Sequence, residues 1–527
     1  MIHFNHKILI LLPVLPLLVN CGKQDRFQEL NALAGQEYLV PVRPFTNGRN
    51  PCWNKFATKF IYAPVFDVQS VEGAREYKFT VTADDGKTHY FVADAPTKDL
   101  SPIWDSIEPG HVRLEIEAFS DSGESLGVIH SREFLRDFPF KGPYNANVRP
   151  YGEAALMGAL YVHHMKGVQD LKTSAVPDDE KYAHFAYPNK IIGSLVEIEC
   201  IIAYQVPSLK DEALTIARNA AKFLIDASRP EGSPLEYFSP TYYGDKLAAG
   251  YETNIGKTMT LDALFTANAF LSLYDATGEG LYMDRALKIA DTYAKIQNPD
   301  GSFPIKVDFH TGEPENASCA MLGPVLLFVR RLQKDYGITK YDEMAARAAE
   351  WMKKVALESF DFTGQFEDVS VSGLEPYQNL TNCTAAQYAS YLLTGDMTEE
   401  VLQDAKDILR FSEDQFVHWD ILDTENGVRK FASPCVFEQY SYQMPVDNST
   451  CVVANAYLDL YAVTGDELAF EKAKALIDNL TVVQDISTGM IPTTFEFDPE
   501  KRQGYNYWLN CSLASISTLM RMAHISK

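Results

Sequence analysis

The segment from His418 to Asp447, HWDILDTENGVRKFASPCVFEQYSYQMPVD, holds the densest set of chemically able side chains in this chain. It supplies carboxyls at Asp420, Glu438 and Asp447, an imidazole at His418, phenols at Tyr440 and Tyr442, and an indole at Trp419. Glu438-Gln-Tyr-Ser-Tyr alternates, so Glu438, Tyr440 and Tyr442 would share one side of an extended strand. Asp447 stands where a helix N-cap would be, a role that needs no catalysis. DFHTGEPE contributes Asp308, His310, Glu313 and Glu315. Further clusters hold Glu236, Tyr242, Tyr243 and Tyr251; Glu367, Asp368 and Glu375; and Glu496, Asp498, Arg502, Tyr505, Tyr507, Trp508 and Asn510. Two chemistries fit. An inverting glycosidase needs a carboxylic acid and a carboxylate base about 6.5–9.5 Å apart across the scissile bond. Asp308, Glu438 and Asp447 can supply such a pair, with acid and base unassigned. A uronate lyase needs a base for the C5 proton and a group that neutralises the substrate carboxylate. Tyr440, Tyr442, His310 and His418 are the candidate bases, with Arg149, Arg429 or Arg502 as the clamp. Tyr243, Trp419, Tyr507, Trp508 and Arg502 are candidate sugar contacts, since an aromatic ring offers an apolar face with a polar edge. The plain alternative for each is a solvated loop charge or a core ring.

These loops lie between repeated elements. Ala267 to Gly278 reads ANAFLSLYDATG, and Ala454 to Gly465 reads ANAYLDLYAVTG. The copies continue into GSFP at Gly301 to Pro304 and GMIP at Gly489 to Pro492. Gly278, Gly337, Gly395 and Gly465 mark four turns and Pro207 an earlier one. A regular period means one supersecondary unit stacked repeatedly. The spacing predicts twelve helices from residue 151 to the C-terminus, alternately apolar all round and amphipathic. Helices that are apolar all round are buried, and amphipathic ones lie outside. The sixth hairpin would pair the last helix with the first and close an all-α (α/α)6 toroid. Its inner-to-outer turns are short. Its outer-to-inner connections, 229–251, 298–314, 361–375, 417–446 and 481–505, are long and lie at the N-terminal end of the inner helices. Loops of that length in a compact domain are usually functional or disordered.

Ahead of the ring the pattern changes to strands. Glu76-Tyr-Lys-Phe-Thr-Val-Thr and Val112-Arg-Leu-Glu-Ile-Glu-Ala-Phe alternate, with turns at Asp84-Asp85-Gly86, Glu108-Pro109-Gly110 and Asp121-Ser122-Gly123. The expected architecture is multi-domain: an N-terminal all-β sandwich of fibronectin or immunoglobulin type over 37–137, then the toroid over 138–527. Six hairpins with short turns at one end, long aromatic loops at the other and a β module ahead resemble the six-hairpin glycosidase superfamily over about residues 140–527. The resemblance is architectural, without one family's intact signature. It implies a carbohydrate-active protein: a glycoside hydrolase first, a polysaccharide lyase or uronate epimerase as the alternative, and a non-catalytic glycan-binding lipoprotein as the third reading.

Composition narrows the classes. The net charge of −24 over 527 residues argues against nucleic acid, which needs basic patches to neutralise phosphates. Lys7 and the apolar run Ile8 to Val19 form a segment too short to span a bilayer. Leu18-Val19-Asn20-Cys21 resembles a bacterial lipobox, although Asn20 departs from the usual small residue. Residues 1–20 are therefore expected to be a signal peptide, Cys21 the lipidated first residue, and 21–36 a tether, placing the body at the bacterial envelope by a lipid anchor alone. Cys200, Cys319, Cys383, Cys451 and Cys511 are expected in inner helices as small packing residues. No CxxC or HxxxH pair at ligand spacing points to a metal, and no GxGxxG or P-loop opens a helix after a strand, so no cofactor is expected. The chain is expected to act as a monomer on a glycan.

Overall fold

The computed structural model describes residues 23–42, 52–244, 247, 252–363, 373–421, 424–425, 428–496 and 507–527. Cys21, Arg502 and the candidates Tyr251, Glu367, Asp368, Asp498 and Tyr505 lie outside the described residues. Within the segment read as a tether, Lys23–Tyr38 forms a helix, α1. Leu30, Ala34 and Tyr38, spaced four apart on one face, are buried.

The β module follows. Its strands are β1 (Lys59–Phe60), β2 (Ala74–Ala83), β3 (Thr88–Ala93), β4 (Gly110–Ser120) and β5 (Ser125–Arg136). They lie in one sheet in the order β1-β5-β4-β2-β3, antiparallel except where β1 runs parallel to β5. The expected alternation is realised, with Tyr77, Phe79 and Val81 buried on β2 and Val112, Leu114, Ile116 and Ala118 on β4. A sandwich would set a second sheet over this face. Among the described residues that place is taken by aromatic side chains outside the strands. Trp104, on the single turn Ser101–Trp104, and Phe66 both pack on Phe134 of β5, and the Trp104 indole donates to the Ile61 carbonyl at 2.8 Å.

Twelve helices then alternate among the described residues: α2 (Tyr151–His163), α3 (Pro188–Gln205), α4 (Lys210–Asp226), α5 (Ala263–Thr277), α6 (Gly280–Ile296), α7 (Gly323–Tyr336), α8 (Asp342–Met352), α9 (Asn382–Leu393), α10 (Glu399–Phe416), α11 (Asp447–Thr464), α12 (Glu467–Val483) and α13 (Leu509–Ile525). The odd-numbered helices α3 to α13 pack neighbour on neighbour, and α13 returns to α3. That closes an inner ring, with α2 backing α13 as the sixth hairpin. Gly278, Gly337 and Gly465 take left-handed φ values of 67–74° and end α5, α7 and α11, where a Cβ would clash with the following carbonyl. α5, α7 and α9 begin several residues later than the sequence periodicity predicts. Residues 257–259 and 306–308 instead pair as a two-stranded ribbon at the mouth, and Pro324 fixes the first turn of α7.

The repeat extends to hydrogen bonds. The Arg331 guanidinium donates to the Asn268 carbonyl at 3.3 Å and to its side-chain oxygen at 3.0 Å. Arg521 does the same to Asn455 at 3.2 and 3.1 Å. Gln297 and Gln484, each ending an outer helix, donate to the carbonyls of Gly301 and Gly489. Both glycines press on a neighbouring outer helix, Gly301 on Arg347 and Gly489 on Met157, so closely that a Cβ would collide with its backbone.

The β module is fastened to the ring at the end of α10. Oε1 of Glu413 accepts from Tyr38 at 2.7 Å and from the Trp419 indole at 2.9 Å. Oε2 accepts from Tyr62 at 2.9 Å, Tyr457 at 2.8 Å and Lys472 at 2.8 Å. The next residue, Asp414, accepts from the backbone N–H groups of Ile61 and Tyr62 at 2.6 and 2.7 Å. Removing one partner of a buried charged pair typically costs about 3–5 kcal/mol, because the other charge is left stranded. Glu413→Ala leaves four buried donors unpaired and Lys472 with Glu37 alone, at 3.1 Å, so it should lower stability by roughly 3 kcal/mol. Urea unfolding with α1 proteolysis as a second readout checks this; unchanged stability would remove Glu413 from its place as the joint.

Candidate active site

The inner helices all present their N-termini to the long-loop end, so the mouth is built from first turns and the loops that precede them. Asp447 opens α11 there. The N-cap is Val446, which has no side-chain cap bond, so the capping role expected of Asp447 is not realised. Its backbone N–H donates to the Thr493 carbonyl at 2.9 Å. Its carboxyl, fully buried, accepts from the Asn448 N–H at 2.7 Å and from Ser515 of α13 at 2.9 Å. The Cys511 thiol donates to it as well. Burial outweighs these bonds and pushes the Asp447 carboxyl up to about 8. At neutral pH it therefore carries a proton.

Glu438 reaches the same place from the strand Cys435–Gln439. That strand pairs with Tyr442–Pro445, and its register slips between Phe437 and Gln439. The extra residue belongs to the partner strand, where Gln443 and Met444 together face Glu438, so the bulge lies opposite Glu438. Glu438 is half-buried at the slip. Two inner-ring thiols mark where it and Asp447 converge. Burial chiefly, then the charges of Glu438 and Asp447, push Cys383 up to about 12. Burial and the same two carboxylates raise Cys511, while Lys190 opposes them. Ser449 lies 3.3 Å from the Cys383 sulfur, so the polar seam joins α9, α11 and α13.

An aromatic wall stands across the α13–α3 junction. Trp508 caps α13 and stacks on His184 at 4.0 Å and 20°. Tyr187 lies 5.3 Å from its ring and the Lys190 ammonium 5.5 Å over it. Tyr242 continues the wall from Tyr187 at 6.0 Å. An ammonium over an indole face is a cation–π contact, and the half-buried indole leaves part of its surface for a ligand.

The remaining candidates are distributed elsewhere. Asp308 closes its own turn, accepting from the N–H groups of His310 and Thr311 at 2.9 and 2.8 Å; those bonds hold its carboxyl below the usual range. His310 is exposed and bonded to Arg229 at 3.0 Å. Trp419 is core, sealed by Glu413 at 1% exposure. Tyr507 is buried against Tyr161 and is no contact surface. Tyr243 is exposed and packs edge-on against Phe223. Arg149, a proposed clamp, is bonded to Gln484 at 3.0 Å. Glu438, Tyr440 and Tyr442 do not share one face, because the chain reverses: Gln439 pairs with Tyr442 across a hairpin. Tyr440 instead donates to Gln415, and His418 pairs with Asp137 of the β module at 2.8 Å. The sequence reading missed His184, Tyr187 and Lys190. A usable signal was present, since Lys190 is a basic residue in the first turn of an otherwise apolar helix, just after Pro188.

No family model matches the sequence, and no curated protein matches it. Among solved structures, the chain is similar to a family 76 glycoside hydrolase from a bovine Bacteroides thetaiotaomicron strain, at 10% identity over 88% of this chain and 100% of that one, TM-score 0.46. It is similar to a family 76 α-mannanase of Bacteroides thetaiotaomicron, at 12% identity over 72% and 96%, TM-score 0.48. It is also similar to cellobiose 2-epimerase from Spirochaeta thermophila, at 12% identity over 71% and 98%, TM-score 0.47.

The Asp447 proton gives the site a pH signature. Its folded pKa, about 8, lies well above that of an ordinary aspartate, so the folded state holds the proton more tightly. The stability this confers is fully present below the unfolded pKa and is lost as pH rises towards 8. Asp447→Asn keeps a neutral side chain and has no such loss. Between pH 5 and pH 8 the variant should gain roughly 4 kcal/mol on the wild type in denaturant unfolding. A difference that does not change with pH would show that Asp447 is ionised throughout.

Proposed function

We propose that the protein is a glycoside hydrolase acting at the toroid mouth, with Glu438 and Asp447 as its paired carboxyl groups. The observation that supports this is the unequal state of the pair around Cys383 and Cys511. Asp447 is sealed and carries a proton at neutral pH, whereas Glu438 is half-buried opposite a bulge in the partner strand. Glycosidic cleavage needs that division, one carboxyl supplying a proton and the other acting as carboxylate. Glu438 is the group placed to touch the substrate, and Asp447 holds the proton beneath it. Trp508, with Lys190 over it, offers the stacking surface for a sugar ring at the same mouth.

The lyase reading has less support. His418 and Tyr440, two of its candidate bases, are engaged with the β module and with Gln415 rather than gathered round Glu438. A lipid anchor at Cys21 would hold the enzyme at a bacterial membrane surface, working on glycan outside the cytoplasm.

Glu438→Gln should lower turnover by roughly a hundredfold or more, the scale of a lost acid or base, with an unchanged circular dichroism spectrum. The assay follows new reducing ends over a panel of glycans. New ultraviolet absorbance from an unsaturated uronate would replace hydrolysis by elimination. Binding without either product would leave a glycan-binding protein.

A further inference from the structure

A second cavity, of about 290 Å³, lies between the β module and the ring, on the other side of the Glu438 strand. None of Glu438, Asp447, Cys383 and Cys511 lines it. Its wall holds His418, Phe437, Gln439, Tyr440 and Gln443 from the ring, facing β4 and β5 of the sheet. We propose that this cavity is a binding site for a neutral saccharide unit of one or two rings, separate from the mouth.

Its chemistry fits hydroxyl groups. The Asp137 carboxylate takes the Nδ1 proton of His418 at 2.8 Å, which fixes the tautomer and leaves Nε2 as an acceptor. Burial alone would raise Asp137, but His418 and Lys59 outweigh it and hold the carboxyl at about 2. Burial lowers His418, so the ring is neutral at pH 7. Tyr440 lines the same wall and donates to Gln415. Gln439, 1% exposed, has a buried amide nitrogen without a hydrogen-bond partner among the described residues, although its oxygen accepts from Asn379 at 2.7 Å. Phe437, tilted on His418 at 4.1 Å, supplies the apolar face that a pyranose ring packs on.

A charged ligand fits poorly. The cation in the wall, Lys59, is already spent on the carbonyls of Asp414 and Val417 at 2.8 and 2.7 Å and on Asp137 at 3.2 Å. The volume lies at the small end of ligand cavities, which suits one or two sugar rings rather than a long chain. The site goes beyond the hydrolase reading, because occupancy here needs no bond broken at Glu438.

The test uses the full-length Glu438→Gln chain and saturation-transfer NMR. The probes are the methyl α- and β-glycosides of glucose, galactose and mannose, with glucuronate as the charged control. Transfer to a neutral glycoside should survive an added Trp508→Ala change, which removes the stacking surface at the mouth. It should be lost on adding Gln443→Trp, which fills the cavity from an exposed position, and on adding His111→Trp from the sheet side, with the melting temperature unchanged. Glucuronate should give no transfer. Transfer that persists in both filled variants, vanishes with Trp508→Ala, or is as strong for glucuronate overturns the proposal. Because catalysis is already disabled, none of these outcomes bears on whether Glu438 hydrolyses glycan.

Discussion

The buried carboxylate of Glu413 is the interaction on which the arrangement of this molecule rests. It gathers donors from five places in the chain: Tyr38 at the end of α1, Tyr62 beside the sheet, Trp419 in the loop, Tyr457 on an inner helix and Lys472 on an outer one. Burial alone would raise its pKa, but the Lys472 charge and the converging hydrogen bonds outweigh that and hold it below the usual range. A carboxylate so satisfied fixes geometry, because each donor has one direction from which to reach it. The cost falls on the phenols: Tyr38, Tyr62 and Tyr457 are all driven far above their ordinary range. These side chains are structural hydrogen-bond donors, not proton shuttles.

From that joint the mouth follows. Asp414 and Lys59 tie β1 to the end of α10, and Gln415 carries the tie on to Tyr440. The strand Cys435–Gln439 is then pinned from both sides, by the Val417–His418 strand and by its own hairpin. The position of Glu438 is therefore set by the docking of the β module as much as by the ring. A carboxyl on a free loop would sample many positions; this one is placed by a sheet whose strand Val417–His418 follows closely after Glu413 and Asp414. The β module thus helps shape the mouth although it contributes no side chain to the group round Asp447.

The architecture was legible because it is periodic. The paired ANAFLSLYDATG and ANAYLDLYAVTG segments, the glycine turns and the strand alternation at 76–82 and 112–119 all report local rules that the structure obeys. The site was legible only in part, because its decisive features are not local. Alternation correctly marks Glu438, Tyr440 and Tyr442 as equal in parity, yet a hairpin between Gln439 and Tyr442 sends them to different places. Asp447 has the sequence look of a cap, and only burial against α13 makes it a protonated acid. Glu413 sits in an amphipathic outer helix, where an acidic residue ordinarily faces solvent. Nothing nearby in sequence announces that α1 and the sheet will cover it.

One strand consequently separates two chemically different compartments. On the mouth side Glu438 meets a sealed, protonated carboxyl and buried thiols, an environment that holds charge apart. On the other side Phe437, Gln439 and His418 line a cavity whose lysine, Lys59, is already paired with Asp137 behind the wall. The alternation of side chains along a strand makes this division possible in so few residues. A ligand that tightened the cavity against Phe437 and Gln439 would press on the residues flanking Glu438. The direct physical route between the two compartments is therefore the backbone of Phe437-Glu438-Gln439, rather than any chain of side chains through the ring.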